Sequence, residues 1–152
     1  MGALFRDLGL TEKFRTGRQR SELDGADEAR AFPTVRGIPA DRARLIWEGI
    51  ALHITPNIPH HMAPEVALVT AGVDLDVLGI DYDTPPGNPP GRRRRPPAPD
   101  FERRILHAFH AALAHRPRTT VGNVKSDVLD RIEEDYARPN FVRIIEDSPW
   151  PQ

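Results

Sequence analysis

Val66, Val69, Val73, Val77 and Ile80 recur every three or four residues, and this recurrence constrains the fold of the 152-residue chain more than any other feature. Apolar side chains at that spacing lie along one side of an α-helix, and such a side must be buried against something. Pro64 suits the start of this helix, because the first turn has no use for the N–H that proline lacks. A helix from Ala63 to Ile80 follows, with Asp76 inside the apolar stripe and Asp74 off it. The same spacing recurs along the chain, and no alternating period-two run persists long enough to argue a sheet. The predicted class is all-α.

The other elements follow from local signals. A first helix runs from about Gly2 to Leu8, and Thr16 to Arg20 is a basic turn. Ser21 or Asp24 can cap a helix reaching Val35, with Ala26, Ala29 and Phe32 on one face. Pro39 reads as the first position of a helix carrying Leu45, Ile46, Gly49, Ile50 and His53. Thr55-Pro56-Asn57-Ile58-Pro59 stops it. Asp100 opens a helix with Phe101, Ile105, Ala108, Phe109 and Ala112 inward, broken at His115 to Arg118. Val121 to Ile132 is another helix, with Val124, Val128 and Leu129 buried, and Phe141 to Ile145 is a short apolar segment. Between them, Thr84 to Pro99 holds seven of the chain's 16 prolines and the run Arg92 to Arg95. Proline at that density excludes regular helix and favours polyproline II or a solvated linker.

Composition narrows the chemistry. Lys plus Arg is 21, Asp plus Glu is 22, and the net charge of −1 argues against nucleic acid or an anionic membrane as the main partner. With no cysteine, a metal here must be held by His, Asp and Glu. No apolar run approaches the roughly 20 residues of a membrane span, and no secretory leader pattern is visible. A single cytoplasmic domain over 1–150 is the expectation.

Asp76 is the best physical candidate for a site, because a carboxylate in an apolar stripe needs an ion pair, hydrogen bonds or a metal. Asp7 ends an apolar helical segment in the same way, and is equally readable as a helix-end aspartate. His53, His60 and His61 fall within nine residues. They form either an N/O cluster with Asp76 or a core histidine followed by a solvated pair. Glu22 and Asp24 suit a helix N-terminus electrostatically. His107 and His110 are expected on the surface.

The stretch Leu4-Phe5-Arg6-Asp7-Leu8-Gly9-Leu10-Thr11 resembles the signature of HD-domain proteins, in which a His-Asp pair on a helix supplies metal ligands. Gly9 to Phe14, with Glu22, Asp24 and Gly25, is similar to the cyanamide hydratase-like group of that superfamily. So are Ala51 to Pro56, Ile58 to Met62, Gly72 to Gly79, Thr119 to Leu129, and Pro139 to Phe141 with Ser148-Pro149-Trp150. The resemblance is dense at 3–29, 47–79 and 114–150 and poor across the proline tract. It implies an HD-domain-like helical bundle, with a proline/arginine-rich loop at 84–99. The family's first helix, with its histidine, is expected to be missing ahead of Met1. The implied metal ligands are Asp7, Asp76, His53 and His61, with His61 favoured over His60. Asp7, His53 and His61 are the catalytic candidates, and Arg6, Glu22 and Asp24 would lie close to substrate. The cofactor would be zinc, iron or manganese. The reaction would be addition of water to a small nitrile such as cyanamide, or phosphate-ester hydrolysis, on a small-molecule substrate.

Arg6 stands where the family has histidine. A guanidinium has no lone pair to offer a metal, and two like charges about 4 Å apart repel by about 4 kcal/mol at an effective dielectric near 20. Arg6 is expected instead to pair with Asp7 or Asp76. Three functions therefore stand open: an impaired metal-dependent hydratase or hydrolase, a metal-poor helical binding module, and an anion binder using Arg6 and the arginine run. A homo-oligomer that covers apolar surface left by the missing helix is a further expectation.

Overall fold

The computed structural model describes residues 2–80 and 99–149, and helices are the only regular structure among them. Residues 84–98 of the proline/arginine tract, and Trp150, lie outside the described residues.

The helices are α1 (Gly2–Phe5), α2 (Ser21–Val35), α3 (Ala40–Leu52), α4 (Pro64–Val73), α5 (Phe101–Leu113), α6 (Ser126–Ile132) and α7 (Phe141–Glu146). α2, α3 and α4 pack in sequence, and α5 and α6 form a second pair. The core lies between α2 and α3. Ala26, Ala29, Ile50 and Ala51 are buried there, with Phe5, Leu23, Ile46, Trp47 and Leu52 packed around them. Small residues on the inner side of α2 let α3 approach closely. Trp47 is held from outside by an indole N–H donated to Asp27 Oδ1 at 2.8 Å.

Residues 6–14 run as short 3-10 turns across α2 rather than as a helix to Leu8. Two glycines permit this contact. A Cβ on Gly9 would stand 1.9 Å from the Ser21 carbonyl oxygen, and one on Gly25 would stand 2.5 Å from the Phe5 carbonyl oxygen. Backbone lies on backbone at both points, so neither neighbour can yield as a side chain would. Arg116 fixes the same crossing from the far side. Its guanidinium donates to Asp24 Oδ2 at 2.8 Å and to the Gly9 carbonyl at 2.5 Å.

Several boundaries differ from the sequence reading. Pro39 caps α3 from outside instead of opening it, with its carbonyl accepting from Ala43 N–H. Ser21 does not cap α2: the Arg20 carbonyl takes the Leu23 and Asp24 N–H groups, and the Ser21 hydroxyl turns towards α6. Ala108 on α5 is exposed, whereas Ala112 and Leu113 are buried. α6 begins at Ser126 rather than Val121, because Gly122 adopts a left-handed φ of 66° that no α-helix accommodates.

The largest departure is at the end of α4. The helix does not continue regularly to Ile80 but widens into a π-helical turn over Asp74–Leu78. The Gly79 N–H reaches back to the Asp74 carbonyl, an i→i+5 bond. The extra residue per turn shifts everything after Asp74 relative to the 3.6-residue period. Within this turn Asp76 is exposed and Asp74 is half-buried. The periodic argument for Asp76 assumed an unbroken α-helix, and that assumption fails here.

Candidate functional site: an apolar cavity with a polar end

A cavity of about 800 Å³ lies between α4 with its π-turn, the α3–α4 connection, α5 and α6. Its walls are mainly apolar: Val73, Val77 and Leu78 from one side, Ile105, Phe109 and Val128 from the other. Arg6, Asp7, His53, Thr70 and Lys125 give it a polar part. Of the polar side chains in the lining, three are buried: His53, Thr70 and Lys125. The lining carboxylates of Asp7, Asp74 and Glu102 are all more exposed than these. This is the size and composition of a small-molecule pocket, with a few polar groups set in apolar walls.

His53 sits just past the C-terminus of α3, where its ring can reach back over the last turn. Its Nδ1 is 2.6 Å from the Ile50 carbonyl. A carbonyl only accepts, so Nδ1 carries the proton and Nε2 keeps its lone pair. Burial holds the imidazole below its ordinary pKa, helped by the Lys125 charge and opposed by the Ile50 hydrogen bond, Asp7 and Glu22. At neutral pH the ring is uncharged, and Nε2 has no hydrogen-bond partner among the described residues.

Lys125 enters from the turn ahead of α6, held by its own N–H to Asn123 Oδ1 at 2.9 Å. Its Nζ donates to Ser21 Oγ at 2.7 Å and to Glu22 Oε2 at 3.3 Å. Burial lowers its pKa, while the Glu22 carboxylate and Asp7 pull the other way. Glu22 is itself buried and accepts further bonds from Asn123 Nδ2, at 2.7 Å, and from Arg20 Nε. Burial alone would raise its carboxyl pKa. Lys125, the backbone hydrogen bond and Arg20 outweigh that and leave it lowered. Each charge in this network has a partner, as buried charges require.

Arg6 is largely buried, with its Nε 3.2 Å from Asp7 Oδ2, so the expected Arg6–Asp7 pairing is present. The rest of its guanidinium fork has no partner among the described residues. Thr70 Oγ1 is sealed from solvent and makes no hydrogen bond.

The expected site residues are therefore only partly brought together. Asp7 and His53 share one cavity with Arg6. His61 is exposed and outside the lining; His60 lines the cavity instead, 3.9 Å from Asp74. The 3-10 turn Ile58–His61 points successive residues different ways, which spacing in sequence could not reveal. Asp76 is exposed and outside the lining for the reason given above. Glu22 and Asp24 do not reach the cavity surface. They are buried partners: Glu22 of Lys125, which does line the cavity, and Asp24 of Arg116, which does not. Of the remaining histidines, His107 is exposed as expected and His115 is exposed, whereas His110 is half-buried and pairs with Glu133.

Among the described residues no three His, Asp or Glu side chains converge as a metal site would require. Only two of the four expected ligands line the cavity, and they share it with an ammonium and a guanidinium. That set does not fit a resident divalent cation.

Sequence reasoning passed over Lys125, Arg116, Asn123 and Thr70. A signal existed for Lys125, which stands three and four residues before the buried Val128 and Leu129 and so on their face of the helix. No protein-family model, curated protein or solved structure matches this chain.

Proposed function

We propose that this chain is a helical binding module for a small organic molecule, built on an HD-domain-like scaffold whose metal chemistry has been lost. The observation that carries the reading is the cavity: about 800 Å³, apolar along its walls, with His53, Thr70 and Lys125 buried at its polar part. Unpaired hydrogen-bonding groups are costly inside an apolar space unless a ligand or water meets them. The HD resemblance of residues 4–11 supports the scaffold, and the cations beside Asp7 and His53 support the loss of metal.

The test is titration with N-phenyl-1-naphthylamine, a neutral fluorophore that brightens in apolar surroundings. One molecule should bind per chain. Ile105→Trp, which fills the cavity from α5, should abolish binding and leave the far-ultraviolet circular dichroism unchanged. Absence of binding, or binding that Ile105→Trp does not disturb, contradicts the proposal.

A second reading is favoured by one observation, the free lone pair on His53 Nε2. A neutral buried imidazole is suited to general-base chemistry. In that role it would take a proton from water adding to a nitrile or a phosphate ester. Turnover of cyanamide or p-nitrophenyl phosphate that His53→Gln abolishes would establish it. No turnover of either compound removes it.

A further inference from the structure

The polar part of the cavity has a definite charge character. Lys125 presents three N–H groups. Two are committed to Ser21 Oγ and Glu22 Oε2, on the α2 side. The third has no partner among the described residues, and Nζ lies 5.8 Å from the centroid of the Phe109 ring, which lines the cavity. Arg6 is similar: Nε is held by Asp7, and the remainder of its fork is unpaired in the same cavity. Arg6 and Lys125 thus keep unused N–H groups at the cavity.

Three carboxylates share the lining. Asp7 is engaged by Arg6. Asp74 lies towards His60, at 3.9 Å. Glu102 is exposed on α5. None of the three is buried as Lys125 is. Arg6 and Lys125 are the two cations of the lining, both with N–H groups left over, and His53 beside them is uncharged.

We infer that the cavity takes an apolar-bodied organic monoanion, a carboxylate whose head lies between Arg6 and Lys125 and whose hydrocarbon body lies along Val73, Val77, Ile105 and Phe109. This rests on the binding-module reading and goes beyond it by naming the ligand class. Arg6, which cannot act as a metal ligand, becomes the residue that selects the ligand. Charge-assisted hydrogen bonds from a guanidinium and an ammonium are the strong ones for a carboxylate. The apolar walls bind the body whatever its head.

Comparing two ligands with one hydrocarbon chain isolates the head. Decanoate and decanol are titrated into the full chain by isothermal calorimetry at pH 7.5. Decanoate should bind at least ten-fold more tightly than decanol. Arg6→Gln should remove most of that preference. Arg6 is chosen because it lies outside the buried Glu22 network, whereas Lys125→Met strands Glu22 and risks unfolding. Equal affinities for the two ligands, or a preference that Arg6→Gln leaves intact, overturns the inference and leaves the binding module standing. Failure of both ligands to bind removes the binding module and this inference together.

Discussion

Arg116→Met should unfasten the N-terminal segment that carries Arg6 and Asp7. In the parent, the Arg116–Asp24 pair is almost fully buried, with side-chain exposures of 5% and 6%. Arg116 also supplies the hydrogen bond to the Gly9 carbonyl. Truncation leaves the Asp24 carboxylate buried without its cation, which costs about 3–5 kcal/mol. A domain of this size has about 5–15 kcal/mol in all. At about 2–4 °C per kcal/mol, the melting temperature should fall by roughly 6–20 °C. Asp24→Asn added to Arg116→Met removes the stranded charge without adding bulk beside Gly9. It should recover all but about 1–2 kcal/mol, the remainder being the unpaired Gly9 carbonyl and the lost packing. Urea unfolding of parent, two single variants and the double variant closes the cycle. A loss below about 1 kcal/mol in Arg116→Met, typical of an exposed pair, would refute the reasoning. So would a double variant no more stable than Arg116→Met.

Other expectations follow from the same geometry. His53 titrates below its ordinary value in the folded state. On acidification the unfolded chain therefore takes the proton first, and stability falls as pH drops through about 6.5 towards the folded value. His53→Gln should flatten urea stability between pH 7.5 and 5, and an unchanged slope would contradict this. Thr70→Val removes an unsatisfied buried hydroxyl and should stabilise the free protein by about 1 kcal/mol; destabilisation would show that Oγ1 is already bonded. Gly25→Ala places a methyl 2.5 Å from the Phe5 carbonyl oxygen and should cost more than about 2 kcal/mol in thermal unfolding. Asp76→Ala, at an exposed position, should change stability by no more than about 0.5 kcal/mol. Leu4 and Leu68 are 81% and 73% exposed, and self-association is expected in sedimentation velocity; a monomer at every concentration would contradict it.

The helical class and most of the core were legible because they rest on spacing and small residues, as with Ala26, Ala29 and Ile50. Asp7 and His53, both of which line the cavity, stood out as polar groups among apolar neighbours. What could not be read depends on departures from ideal geometry. The π-turn at Asp74–Leu78 exchanged Asp76 for Asp74. The 3-10 turn at Ile58–His61 exchanged His61 for His60. The buried pairs Glu22–Lys125 and Asp24–Arg116 join residues about a hundred positions apart. Nothing local marks a glutamate at the start of α2 as the partner of a lysine before α6. Glu22 and Asp24 read as helix-end acids because that is what most such acids are.

The central claim is that Arg6 and Lys125 have taken over a site that a divalent metal would otherwise share with Asp7 and His53. Elemental analysis tests it directly. The full chain is incubated with excess zinc, iron and manganese, desalted, and compared with His53→Gln treated identically. The account predicts far less than one metal per chain in both proteins. One bound metal per parent chain, lost in His53→Gln, would contradict it.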